Sequence, residues 1–162
     1  MSARRMSRFR ILAVLISALA AVGIGVATRA APIEDDGLVP YEIVDGRIPE
    51  PLGGLEGDVQ RGREIAAGRE GNCLACHHMP IPEQQFHGDV GPDLHGVGGR
   101  LDEGELRLRL VDPKQIGPES IMPAFYVVDR LRRVAKPYRG QPILSAQQIE
   151  DVVAYLRTLR DE

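Results

Sequence analysis

Both cysteines of this 162-residue chain lie in one pentapeptide, Cys73-Leu74-Ala75-Cys76-His77. Thiols at this spacing, followed directly by an imidazole, occur in several kinds of site. A redox-active dithiol would be expected to follow a β-strand, and the preceding residues show no strand pattern. A structural zinc site needs a second pair of ligands, and the chain has no third cysteine. A simple disulfide would leave His77 without a role.

The same spacing is typical of covalent haem attachment. Two thiols one helical turn apart can add to the two vinyl groups on one porphyrin edge, and the adjacent imidazole then lies under the iron. We therefore predict one covalently bound haem c, attached through Cys73 and Cys76 and ligated by His77. The composition is consistent with this prediction. Only 4% of residues are aromatic, so the core has few large side chains, and a buried porphyrin would supply apolar volume.

Residues 1–30 have the pattern of an export signal. Arginines precede an uncharged apolar run at 11–27, and small residues then suit cleavage before Ala31. An uncleaved membrane anchor is the alternative, since the run is only slightly short for a span. We expect a Sec-type signal peptide, a periplasmic mature protein and no membrane association once it is processed.

Cleavage changes the charge of the chain. The leader contains five of the 20 basic residues and no acidic residue, so 15 basic residues face 23 acidic ones and the net charge becomes −8. Nucleic-acid binding is therefore not expected, because it requires a basic footprint. Residues 31–58 hold eight acids, whereas basic residues concentrate at 130–139. Each cluster is either a solvated surface or a docking surface.

The mature chain divides into an extended N-terminal arm at 31–56 and a helical domain at 57–162. Four prolines prevent a long helix in the arm, which we expect to lie outside the core. Within the domain, Asp58 predicts the start of a first helix and Pro113 the end of a second, which starts at Asp102. Ser145 and Gln148 form a capping box before an apolar stripe, which predicts a terminal helix.

This pattern predicts an all-α domain with few helices and long loops. Long loops normally argue against a compact domain. A central cofactor removes the objection, because loops can pack against its faces and edges.

A sixth iron ligand must come from the far side of the ring. His78 and Met79 are tethered beside His77 and cannot reach that side. His87, His95 and Met122 remain as candidates. Methionine in cores is more often a filler than a ligand, so residue type alone does not decide among them.

The segment Gly91-Pro92-Asp93-Leu94 after the attachment site resembles class I cytochromes c. The resemblance implies the class I fold, with the Pro92 carbonyl accepting the Nδ1 proton of His77. It also places His95 on the proximal side and presents Met122 as the thioether ligand, with His87 as the other candidate. Arg100 is then expected either to meet a haem propionate or to be solvated.

Longer stretches resemble the SoxX family, the monohaem cytochromes of the bacterial thiosulfate-oxidising (Sox) system. Besides residues 71–80, the similarity includes residues 39–52, 111–126 and 140–156. It implies a heterodimer with a larger haem-bearing SoxA-type subunit. That complex, an L-cysteine S-thiosulfotransferase, oxidatively joins thiosulfate to a cysteine of the carrier SoxYZ. This chain would be its electron-accepting subunit, with no catalytic residue of its own, and would reduce a soluble acceptor cytochrome.

Two other functions fit parts of the sequence. A free periplasmic electron-shuttle cytochrome c needs only the class I features, but it has no need of an arm suited to wrapping a partner. A haem sensor of gaseous ligands is the other, and a strong sixth ligand would hinder that role.

Overall fold

The computed structural model describes residues 38–160. The predicted signal peptide and the acidic run at 34–36 lie outside these residues. The described part contains four α-helices: α1 (Val59–Ala67), α2 (Val97–Arg100), α3 (Glu103–Val111) and α4 (Ala146–Thr158). Short 3-10 helices lie at Leu52–Gly54, Cys73–Ala75, Pro113–Gln115 and Lys136–Tyr138. Between residues 38 and 160 the only β-type pairing is an isolated bridge between Val44 and Arg47, so the predicted all-α class is confirmed.

Side-chain caps begin three of the helices. Asp58 accepts a hydrogen bond from the backbone N–H of Arg61 at the start of α1. Capping boxes begin α3 and α4, formed by Asp102 with Glu105 and by Ser145 with Gln148. These bonds satisfy backbone donors that have no partner within a helix, which fixes where each helix starts.

Helices α1 and α4 pack against each other at very short range. A Cβ on Gly62 would overlap the carbonyl group of Asp151, so only glycine permits this approach. Arg61 also donates two 2.8 Å hydrogen bonds from α1 to the buried Asp151 carboxylate. Burial alone would raise the pKa of Asp151, but hydrogen bonds from Arg61, the Asp58 backbone and Gln147 hold it below its ordinary value.

A buried ion pair joins α3, α4 and the N-terminal arm. Arg107 and Glu150 are 1% and 3% exposed and make two hydrogen bonds of 2.8 Å. Arg107 also donates to the Ile48 carbonyl at 2.7 Å, and the Leu52 N–H donates to Glu150 at 2.9 Å. Each charge thus meets several partners, which offsets the cost of burying it.

The second half of the arm belongs to the core. Ile48 and Leu52 are each only 1% exposed and pack within the main hydrophobic cluster. The expectation that residues 31–56 lie outside the core is therefore wrong for these two residues. The physical reason is the Arg107–Glu150 pair, which binds the arm's backbone and holds its apolar side chains inward.

Within residues 38–160, no helix combines the length and the apolar character that a membrane crossing requires.

Candidate haem-binding site

The pentapeptide of the two cysteines forms a single tight turn. The N–H groups of Cys76 and His77 donate to the Cys73 carbonyl at 3.1 and 2.9 Å. Asn72 begins the turn with φ of +49°, a conformation that asparagine tolerates better than most residues. Leu74 is buried in the core and anchors the turn, while both cysteines and His77 line one large cavity.

A returning loop is hydrogen-bonded along this turn. The N–H groups of Gly88, Gly91 and Leu94 donate to the carbonyls of Leu74, Cys76 and His78, at 2.8, 2.7 and 2.9 Å respectively. These bonds fix residues 88–94 against the pentapeptide, so the two segments form one rigid unit.

Gly91 lies directly against the imidazole of His77. A Cβ at Gly91 would come within 2.6 Å of Nδ1 of that ring. Gly88 similarly approaches the backbone of Ala75 too closely for any side chain. Neither packing contact was predicted from the sequence, although Gly91 lies in the segment that resembles class I cytochromes c. The position of the two glycines among prolines after the pentapeptide was the available signal, but it indicates a loop and not a packing contact.

The orientation of His77 is set by Pro92. Nδ1 of His77 lies 2.7 Å from the Pro92 carbonyl oxygen. Because a carbonyl oxygen only accepts hydrogen bonds, Nδ1 carries the proton and Nε2 keeps its lone pair. That lone pair is the one a metal ligand requires, so the structure brings His77 and Pro92 together in a ligating tautomer.

The cavity has a volume of about 960 Å³, which is large for a domain of this size. Its walls include all six residues predicted from the sequence to bind haem: Cys73, Cys76, His77, Pro92, Arg100 and Met122. Apolar side chains form much of the remaining wall, among them Leu94, Val97, Leu106, Leu110 and Phe125. A large apolar space with two thiols, one imidazole nitrogen and one thioether fits a covalently bound haem.

The two candidates for the sixth ligand lie in different places. Met122 is half-buried, lines the cavity and packs against the core. His87 is absent from the cavity wall. Its Nδ1 accepts a 3.3 Å hydrogen bond from the Met79 N–H, and its ring lies 4.8 Å from that of His78. The arrangement therefore favours Met122.

Arg100, at the end of α2, lies on the wall with its guanidinium held by backbone. It donates to the carbonyls of His95 and Asp93 at 2.6 and 3.0 Å. Two of its nitrogens are thus engaged, and its positive charge is fixed beside the cavity.

The raised pKa of Cys73 does not favour a redox-active dithiol at this site. Burial raises the pKa of the Cys73 thiol to about 11. Cys73 is consequently a neutral thiol near pH 7, whereas a nucleophilic cysteine requires a lowered pKa.

Comparisons with known proteins agree with this geometry. The cytochrome c family model matches residues 59–160, so the chain belongs to the cytochrome c family, and its helical architecture is the class I cytochrome c fold. Membership of this family implies covalently bound haem c.

Within that family, the chain also resembles a particular type of cytochrome of known structure. One chain of the crystal structure of SoxXA from P. pantotrophus is 38% identical, with a TM-score of 0.69. The match covers 75% of this chain and 95% of that one. The chain is accordingly a SoxX-type cytochrome. No match was found among curated proteins.

Proposed function

We propose that the chain is the electron-accepting monohaem subunit of a complex that oxidatively joins thiosulfate to a carrier-protein cysteine. The observation that carries the proposal is the 38% identity over nearly the whole length of a SoxXA chain. The haem-sized cavity adds to it, because its donor set suits electron transfer.

Each wall residue has a proposed role toward one haem c. Cys73 and Cys76 form the thioethers, His77 is the proximal ligand through Nε2, and Met122 is the distal ligand. Pro92 keeps His77 in the ligating tautomer through the 2.7 Å contact. Arg100 offers a fixed positive charge for a propionate.

When bound, the haem supplies one-electron redox chemistry, at a potential that a methionine ligand raises relative to two imidazoles. The chain's own residues prepare a site for that chemistry. Apolar walls exclude water, and the hydrogen-bonded loop at 88–94 prevents His77 from rotating. A rigid site of this kind needs little rearrangement when the charge of its occupant changes.

The assignment of an accepting role follows from the cysteines. Both are consumed by haem attachment, and the chain has no other. Conjugation of thiosulfate therefore takes place outside this chain, on a larger haem-bearing SoxA-type partner with a SoxYZ-type carrier as substrate. Electrons then pass from this subunit to a soluble acceptor cytochrome. We further propose that residues 1–30 direct export to the periplasm, where such a complex operates.

A spectroscopic reconstitution tests the proposal. The haem-loaded chain is mixed with the larger subunit, the carrier and thiosulfate, and absorbance of the reduced haem is followed. A matched mixture without this chain corrects for the partner's own haem. We expect reduction only when thiosulfate and carrier are both present, because the electrons come from forming the sulfur–sulfur bond.

A carrier whose acceptor cysteine is replaced by serine provides the control and should leave the haem oxidised. Persistent oxidation with all intact components, together with rapid oxidation of the reduced protein by a terminal oxidase, would instead establish the free-shuttle function.

A further inference from the structure

A second group of potential ligands lies next to the haem cavity. The side chains of His78, Asp93 and His95 each offer one ligand atom, and these atoms all lie within 4.8 Å of one another. The Asp93 carboxylate is central. Its Oδ1 is 2.6 Å from Nδ1 of His95, and its Oδ2 is 3.8 Å from Nδ1 of His78.

Backbone contacts hold this group in place. The N–H of His95 donates to Asp93 Oδ1 at 2.8 Å, which orients the carboxylate. The Leu94 N–H donates to the His78 carbonyl at 2.9 Å and joins the two segments. The rings of His78 and His95 are stacked, with centroids 5.2 Å apart. The three side chains therefore do not depend on an ion to be brought together.

We propose that His78, Asp93 and His95 form a binding site for a divalent transition-metal ion of the Zn²⁺ type. Two imidazoles and a carboxylate are donors that Zn²⁺ accepts, at bond lengths of about 2.0–2.2 Å. Ligand atoms around a tetrahedral ion are then separated by roughly 3.3 Å. Nδ1 of His78 lies 3.8 Å from Oδ2 of Asp93, near this value, whereas the 2.6 Å separation of His95 and Asp93 is a hydrogen bond. Binding the ion breaks this hydrogen bond, and its proton passes to solvent as His95 and Asp93 turn their donor atoms toward the metal.

The surroundings leave room for the remaining ligands. All three side chains are exposed, so an ion can reach them from solvent. A second cavity of about 390 Å³ is lined by His78 and His95, together with His87 and Pro80. Water in this space can complete the coordination that three protein ligands leave open.

The position of the site connects it to the haem ligand. His78 directly follows His77, and Asp93 directly follows Pro92. An ion held by both segments links them on the surface side of the His77–Pro92 contact. Metal binding is therefore expected to stabilise the folded chain, as does any ligand that binds only the native state.

Equilibrium dialysis of the untagged haem-loaded protein against low-micromolar Zn²⁺ tests the proposal. Zinc and iron are measured together, so that bound zinc is counted per haem. The wild type should bind one Zn²⁺ per chain. Asp93→Asn and His95→Gln should each weaken binding about tenfold or more, because each removes a direct ligand.

Asp89→Asn is the matched control, since Asp89 is an exposed carboxylate of the same loop but is outside both the ligand group and the second cavity. It should bind Zn²⁺ as the wild type does. The midpoint of thermal unfolding gives a second readout, which Zn²⁺ should raise in the wild type and in Asp89→Asn only. The site is refuted if the wild type binds no zinc, or if the two ligand variants retain wild-type affinity.

Discussion

The carbonyl oxygen of Pro92 lies 2.7 Å from Nδ1 of His77, although fifteen positions separate the two residues. The contact depends on a loop that is hydrogen-bonded to the pentapeptide and on the absence of a side chain at Gly91. A local motif therefore supplies the proximal ligand, and a distant segment sets its tautomer and direction.

Replacement of Gly91 by alanine should disturb this arrangement. The new Cβ would lie within 2.6 Å of the His77 ring, so either the ring or the loop must move. We expect a loss of about 1–3 kcal/mol in the free energy of unfolding, as is usual for overpacking. The reduction potential should also change, because the hydrogen bond to His77 is altered.

Gly99→Ala provides the control for that variant. A Cβ at Gly99, in α2, meets no atom within 4 Å, so the substitution should be tolerated. Denaturant unfolding measures the free energy of unfolding of both variants, and potentiometry measures their reduction potentials. Equal behaviour of the two variants would show that the Gly91 contact is not important.

Replacement of Met122 by alanine should open the sixth coordination position. The variant is expected to bind added imidazole or azide and to have a lower reduction potential, because the thioether is lost. Absorption spectroscopy with a ligand titration measures both effects.

His87→Gln is the comparison for Met122→Ala and should keep the wild-type spectrum, because His87 is outside the cavity wall. If His87→Gln instead opens the site and Met122→Ala does not, the distal ligand is His87.

Local signals in the sequence predicted the elements that depend on neighbouring residues. The starts of α1 and α4 follow from Asp58 and from Ser145 with Gln148, because a cap involves residues three positions apart. The attachment pentapeptide is local in the same sense. The capping box of Asp102 and Glu105 was equally visible in the sequence, although only the helix itself was predicted there.

Features that depend on distant pairing were not predictable from residue spacing, and the His77–Pro92 contact was expected only through the family resemblance. Arg107 and Glu150 lie 43 positions apart, and a charged residue on a helix is ordinarily solvated. Their burial, and with it the burial of Ile48 and Leu52, arises from a partner that no spacing rule identifies. The packing of Gly91 on His77 has the same origin.

The arm should contribute to the stability of the domain mainly through its buried second half. Removal of residues 31–52 takes away Ile48 and Leu52 and leaves the Arg107–Glu150 pair without its backbone partners. Truncating one such buried side chain to alanine costs about 2–5 kcal/mol, so this variant should be severely destabilised. Ile43→Ala, which shortens a 42% exposed side chain of the same arm, should change the free energy of unfolding little.

Denaturant unfolding of the deletion variant and of Ile43→Ala checks this expectation. Wild-type stability in the 31–52 deletion would show that the arm contributes nothing to the core.

Acid sensitivity should depend on Asp151. Its pKa is lower in the folded than in the unfolded state, so its stabilising contribution is complete above the unfolded value of about 3.9. That contribution is lost as the pH falls through the folded pKa. Asp151→Asn should therefore reduce stability at pH 7, and its stability should fall less between pH 5 and 3 than that of the wild type.

Asp45→Asn is a suitable reference, because Asp45 is exposed and asparagine tolerates its φ of +49°. Urea unfolding across this pH range gives the comparison. Parallel stability curves for Asp151→Asn and the wild type would contradict the role assigned to the Arg61–Asp151 pair.

The central claim, that Cys73 and Cys76 attach one haem, is tested most directly by the mass of the denatured mature protein. The account predicts a mass that exceeds the polypeptide by one haem, with the haem retained in acidified organic solvent. The double variant Cys73→Ser with Cys76→Ser should lack this added mass. A wild-type mass equal to that of the bare polypeptide, after expression with haem-attachment machinery, would contradict the account.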